Sequence, residues 1–133
     1  MMRALSIAFM ALVVVLSGSV AQAQNVQGLW RATSLRGQPV SAEENARLHF
    51  RVARVDAMVG CHAFYGVTQV WQGRIWFAPV TENYSSCSDR DRELFNALKG
   101  IVRDANDWRV TGTTLELLRD ETVVFTGISQ PYP

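Results

Sequence analysis

The chain has 133 residues, 13 lysines and arginines against 12 aspartates and glutamates, and 48% hydrophobic residues. A balance this close to neutrality lacks the basic excess that non-specific binding to nucleic acid or anionic membrane requires. The length suits one domain with its own core, and no internal repeat, low-complexity tract or linker divides it.

Met1 to Ala23 reads as a cleavable secretory leader. Arg3 and the α-amino group give a short positive start. Ala4 to Leu16 is apolar apart from Ser6, and Ala21-Gln22-Ala23 supplies small residues at −3 and −1. Cleavage is expected after Ala23, leaving 24–133 as a single domain. The apolar run of about 13 residues falls short of the roughly 20 a spanning helix needs, so no stable membrane insertion is expected after cleavage. No cysteine follows the cleavage site, so lipidation there is not expected. The expected location is periplasmic or secreted. Loss of Arg3 with the leader balances the charges.

Asn25 to Leu35 contains Val26, Leu29, Trp30 and Leu35 and reads as a first strand, closed by the turn residues Arg36-Gly37-Gln38-Pro39. Leu48-His49-Phe50-Arg51-Val52 alternates, which places Leu48, Phe50 and Val52 on one face and His49 and Arg51 toward water. Ala53 to Val59 continues or turns, and Gly60 punctuates it. Val67 to Trp71 and Arg74 to Phe77 flank Gln72-Gly73, a two-residue hairpin signal, and Pro79 ends the second strand.

The period then changes. Ser88 is a candidate N-cap, and Asp89, Asp91 and Glu93 place negative charge where a helix dipole favours it. Leu94, Phe95, Leu98, Ile101 and Val102 form one apolar stripe at helical spacing, giving a helix over about 88–103 that ends within Asp104 to Asp107. Trp108 to Thr111 and Thr114 to Leu118 flank Gly112-Thr113, a further hairpin signal. Thr122 to Phe125 makes a last strand after Arg119-Asp120-Glu121. Short strands joined by tight turns pair antiparallel, and one helix cannot cover both faces of a large parallel sheet. The expected class is α+β: a curved antiparallel sheet or partial β-barrel of about 6–8 short strands with one helix packed on it.

Cys61 and Cys87 are the two cysteines, so they admit a single intramolecular connection. Behind an export leader an even count points to a pair. A structural disulfide would tie the central hairpin to the start of the helix. Two buried thiols and a redox site are the alternatives; a Cys-x-x-Cys spacing, which a thioredoxin-like site would show, is absent.

Gly60-Cys61, Phe64, Gly66, Gly73, Pro79, Cys87, Glu93, Phe95 and Leu98 follow in order, and Val110, Gly112, Leu115, Leu117 and Phe125 complete the run. This ordered set resembles the META domain family, the HslJ-like heat-shock type, over roughly Gly28 to Phe125. The family motif falls here on Gly60, Cys61, Phe64, Gly66, Glu93 and Leu98. His62 stands where the family usually has Asn, and the hairpin after Gly66 is about one residue longer. The HslJ type is typically a lipoprotein, and this chain lacks its lipid-accepting cysteine. The resemblance implies a small β-rich envelope domain with one helix, associated with heat shock, antibiotic tolerance, motility or secretion. It carries no established catalytic set.

Neither histidine has a thiol-protease context, and His62 follows Cys61 directly, so the two side chains of a strand would diverge. His49 is expected at the surface and His62 in a loop or at a strand edge. The spacing of Cys61, His62 and Cys87 matches no zinc template; no metal and no cofactor are expected. Trp71, Trp76, Tyr65 and Tyr84 are the candidate binding surface, against the plainer reading that such aromatics fill the core. The expected function is a non-enzymatic envelope module that binds a protein or a small apolar ligand, in envelope stress tolerance. A chaperone-like or inhibitor domain acting on a client protein is the alternative, and a thiol-dependent enzyme using Cys61 or Cys87 a further one.

Overall fold

A computed structural model describes residues 25–71, 74–77, 81–83 and 88–131. The expected leader, the expected turn at 72–73, Pro79, Tyr84 and Cys87 lie outside the described residues. The strands are β1 (Gly28–Leu35), β2 (Gln38–Pro39), β3 (Arg47–Arg51), β4 (Arg54–Val59), β5 (His62–Trp71), β6 (Arg74–Phe77) and β7 (Thr81–Asn83). Helix α1 (Asp89–Asp104) follows, then β8 (Asp107–Thr111), β9 (Thr114–Arg119) and β10 (Thr122–Gln130).

All the pairings among the described residues are antiparallel. The order β10-β9-β8-β6-β5-β4-β3-β1 returns to β10 through a β1–β10 pairing, so eight of the ten described strands form a ring, with β2 and β7 beside it. The seam between β6 and β8 is thin, with Arg74 opposite Asp107. The expected curved sheet with one helix is therefore present, closed further than a partial barrel requires.

Closure depends on the length of β10. The apolar pattern of the sequence ends the last strand at Phe125, but the strand continues to Gln130 and pairs with β1 from Leu29↔Gln130 to Leu35↔Phe125. Gly127 permits this. A Cβ there would lie 2.7 Å from the Phe125 ring and 3.1 Å from the Arg31 carbonyl oxygen. No larger residue fits between the ring and the neighbouring strand.

Alternation sets the inner face. Leu48, Phe50, Val55, Ala57, Val59 and Phe64 are buried, and with Leu115, Leu117 and Phe125 they belong to one core. The helix completes it. The Ser88 side chain accepts from the Asp91 backbone N–H at 3.1 Å, the expected cap. Leu94, Phe95, Leu98, Ile101 and Val102 are all buried, as their spacing predicts. At roughly 1.5–3 kcal/mol per buried large apolar side chain, this stripe outweighs the low intrinsic stability of a short isolated helix.

Two local expectations are corrected. Val52 does not share the inner face with Leu48 and Phe50 but sits in the β3–β4 turn, 79% exposed. The alternation stops there because Ala53 adopts a left-handed φ of 57°, which reverses the chain. His49 does occupy an outward position on β3, yet it is only 7% exposed. His62 does sit at a strand edge, yet it is buried there. It starts β5, is 4% exposed, and stacks on Phe95 with centroids 5.0 Å apart.

Candidate functional site

The two ends of the barrel differ. At one end α1 closes against the turns. Asp91 lies against Gly60 in the β4–β5 turn, and Arg36 after β1 pairs with Asp104 at 3.0 Å. Arg119 at the end of β9 donates to the Asp104 carbonyl oxygen at 3.1 Å. A short helical turn over Ala42–Glu44 is also fastened to α1. Ser41 caps it, its N–H donates to Glu44 Oε1 at 3.1 Å, and Arg90 grips the same carboxylate. Arg90 holds the Glu44 carboxyl down to about 2, with the Ser41 N–H assisting.

The family-motif residues gather at this closed end and in the core. Val59 pairs with His62, so Gly60-Cys61 is a two-residue turn, and Gly60 has φ 57° at its first position. A Cβ on Gly60 would collide with the Asp91 carboxylate. Phe64 is buried, meets the Phe95 ring at 5.4 Å, and Leu98 is fully buried. Gly66 is buried opposite Val55, while Glu93 is exposed and paired with Arg90 at 3.2 Å. Cys61 is exposed in its turn, while His62, the first residue of β5, is buried. These residues build the joint between sheet and helix.

Among the described residues, no helix covers the opposite end. A cleft of about 430 Å³ opens there between the segment before β1, the β3–β4 turn and the end of β5. Buried Val26 and Thr68 contribute to its lining, with Arg51, Val52, Gln69 and Val70 exposed around them. The Thr68 N–H donates to the Ala53 carbonyl oxygen at 3.1 Å and fixes the turn against β5. Four large apolar side chains are strongly exposed among the described residues: Val52 at 79%, Val67 at 52%, Tyr65 at 44% and Val70 at 41%. Val52 and Val70 line the cleft, and Val67 and Tyr65 continue along the outer face of β5.

Register defines that outer face. Leu29, His49, Asp56 and Tyr65 form one row across β1, β3, β4 and β5, and Arg51, Arg54 and Val67 form the next. Arg54 donates to Asp56 Oδ1 through Nε at 3.0 Å and Nη2 at 2.8 Å, and Arg51 approaches Oδ2 at 3.4 Å. The Arg54 guanidinium also lies 4.2 Å from the Tyr65 ring centroid. Burial pushes the His49 imidazole below its ordinary value, Arg51 adds to that, and Asp56 opposes it.

Of the four aromatics expected to form a binding surface, Tyr65 is exposed. Trp71 and Trp76 lie on β5 and β6, Trp76 opposite Gln69, with their side chains outside the described residues; Tyr84 lies outside altogether. Val52, Val67, Val70, Arg51 and Arg54 join the site without having stood out in the sequence. The parity of β5 carried a signal: once Phe64 faces inward, Tyr65 and Val67 must face outward.

Among the described residues no helix is long and apolar enough to cross a membrane, and no group of three or more His, Cys, Asp or Glu is placed to hold a metal.

The META domain family model matches residues 23–130. No curated protein matches the sequence. Among solved structures, one protein studied by NMR is 16% identical with a TM-score of 0.60, over 77% of this chain and 89% of that one. An NMR structure of a protein from Burkholderia xenovorans is 13% identical with a TM-score of 0.59, over 79% of each chain. A crystal structure of a DUF4847 family protein from Bacteroides vulgatus is 9% identical with a TM-score of 0.57, over 80% of this chain and 94% of that one. At these identities the likeness is one of fold.

Proposed function

This chain belongs to the META domain family, and on that premise we propose that it is a non-enzymatic, exported binding module of the cell envelope that takes an apolar ligand at the end of its barrel opposite α1. One observation carries the reading: of the four strongly exposed apolar side chains among the described residues, Val52 and Val70 line one cleft there, and Val67 and Tyr65 lie on the adjoining outer face of β5. A small domain gains nothing in stability from valines that are 41–79% exposed. A cleft of about 430 Å³ falls within the roughly 300–1,000 Å³ range of small-molecule sites. The leader-like Met1 to Ala23 supports export.

The test uses the neutral dye N-phenyl-1-naphthylamine, whose fluorescence rises in apolar surroundings. The mature protein should bind it saturably while its circular dichroism stays native. Val70→Asp, at an exposed position, should keep the fold and weaken binding at least tenfold. Saturable binding that Val70→Asp and Val52→Asp both leave unchanged would place the site elsewhere and remove this reading.

A further inference from the structure

The cleft has a chemical bias, and it lies in its rim. The outer face beside it carries Arg51 and Arg54, with Asp56 the acidic residue of the neighbouring row, and Arg31 and Arg47 continue the same face toward the helix end. Arg31 stands opposite Arg47 and Arg51 opposite Arg54. Like charges placed directly across a sheet repel. Arg47 Nε is buried without a hydrogen-bond partner among the described residues. The chain as a whole is nearly neutral, so this is a local concentration of cations.

Position matters as much as sign. Arg51 lines the cleft and adjoins Val52, the most exposed of the four apolar side chains. Arg54 sits across from Val67 and covers Tyr65. Both arginines share one carboxylate, and the Arg51 contact is the longer, at 3.4 Å against 2.8 Å for Arg54. Arg51 is 57% exposed at its side chain and keeps donors that Asp56 does not occupy. A guanidinium with free donors at the edge of an apolar cleft suits a carboxylate or phosphate joined to a hydrocarbon chain.

We propose that the cleft ligand is a single-chain anionic amphiphile bound as a monomer, its chain against Val26, Val52 and Val70 and its charged head on Arg51. This rests on the apolar-cleft reading above and adds the class of ligand. Asp56 acts as a competing internal anion, so it sets how strongly Arg51 is available to the head group.

Isothermal titration calorimetry with decanoate and decan-1-ol, at pH 7.5 and below micellar concentrations, separates head from chain. The mature protein should bind decanoate at least tenfold more tightly than decan-1-ol. Arg51→Gln should weaken decanoate binding at least tenfold and bring the two affinities together, and Asp56→Asn should widen the gap. Raising salt should narrow the gap in the mature protein, because an exposed charge pair is screened. Equal affinities in the unmodified protein, or a preference that survives Arg51→Gln, would overturn the proposal while leaving the apolar cleft standing. Binding of neither compound would remove both readings. Binding only to vesicles containing phosphatidylglycerol would also overturn it, in favour of a membrane surface.

Discussion

Replacing Glu44 by glutamine tests how the 3-10 turn before β3 is held to the helix. The amide oxygen of the new side chain can still accept from the Ser41 N–H, so the cap geometry survives and only the negative charge facing Arg90 is lost. In the folded chain the Glu44 carboxyl is held at about 2 rather than 4.5, chiefly by its hydrogen bond to Arg90. A carboxyl depressed on folding contributes stability that is complete above its unfolded value and lost as pH falls through the folded one. The window is therefore from about pH 4.5 down to about pH 2. Full linkage over that interval would reach roughly 3 kcal/mol, at about 1.4 kcal/mol per tenfold change. The Arg90 side chain is 47% exposed and Glu44 22%, so solvent screening reduces this to about 1 kcal/mol. Urea unfolding followed by tryptophan fluorescence measures it. At pH 7 and low salt Glu44→Gln should be less stable by about 1 kcal/mol, a drop of roughly 4 °C in thermal midpoint. At pH 2.5 the two proteins should approach each other, and at pH 7 in high salt the gap should shrink. A deficit of the same size at pH 2.5 would mean that the loss comes from packing or capping. An unchanged midpoint at pH 7 would show that the pair contributes nothing.

Three further changes probe the joint between helix and sheet. Phe95→Ala removes a fully buried ring that touches Phe64 and His62, and should cost about 3–5 kcal/mol by urea unfolding. Gly60→Ala places a Cβ at φ 57° against the Asp91 carboxylate. It should lower stability by roughly 1–3 kcal/mol, and adding Asp91→Ala should restore part of that, since only the collision is relieved. Cys61 and Cys87 should be paired in the exported protein: its intact mass should rise by two hydrogens on reduction. Cys61→Ser with Cys87→Ser should cost roughly 3 kcal/mol, and full alkylation without reductant would rule the bond out.

The helix was legible because one residue type at one period decides it. Leu94, Phe95, Leu98, Ile101 and Val102 have no other common face, and Ser88 marks the start. The hairpin over 112–113 was legible for a similar local reason, and Thr111↔Thr114 pairs as its two-residue turn requires. Closure of the ring was not. It needs β10 to run through Thr126-Gly127-Ile128, where small and polar residues hide the alternation, and to meet a strand 93 residues away in sequence, as the Thr33–Thr126 hydrogen bond shows. Val52 defeats the alternation because its parity is correct and only the left-handed Ala53 breaks the strand. His49 shows the converse: parity gave its direction, but not what neighbouring side chains cover. Of the expected aromatic surface, Tyr65 is exposed, and the arginines beside it become a group only through the register of β3, β4 and β5.

The β1–β10 pairing also decides where the chain enters and leaves the ring. Leu29 lies opposite Gln130, so the first and last strands begin and end side by side, at the rim that holds the cleft. A short linker from the end of β10 to the start of β1 would thus splice the ends together, with new termini opened at Gly112-Thr113, and every strand pairing would be preserved. A partner fused directly to the start of β1 or the end of β10 would, by the same geometry, stand over the binding end and leave the helix end unobstructed.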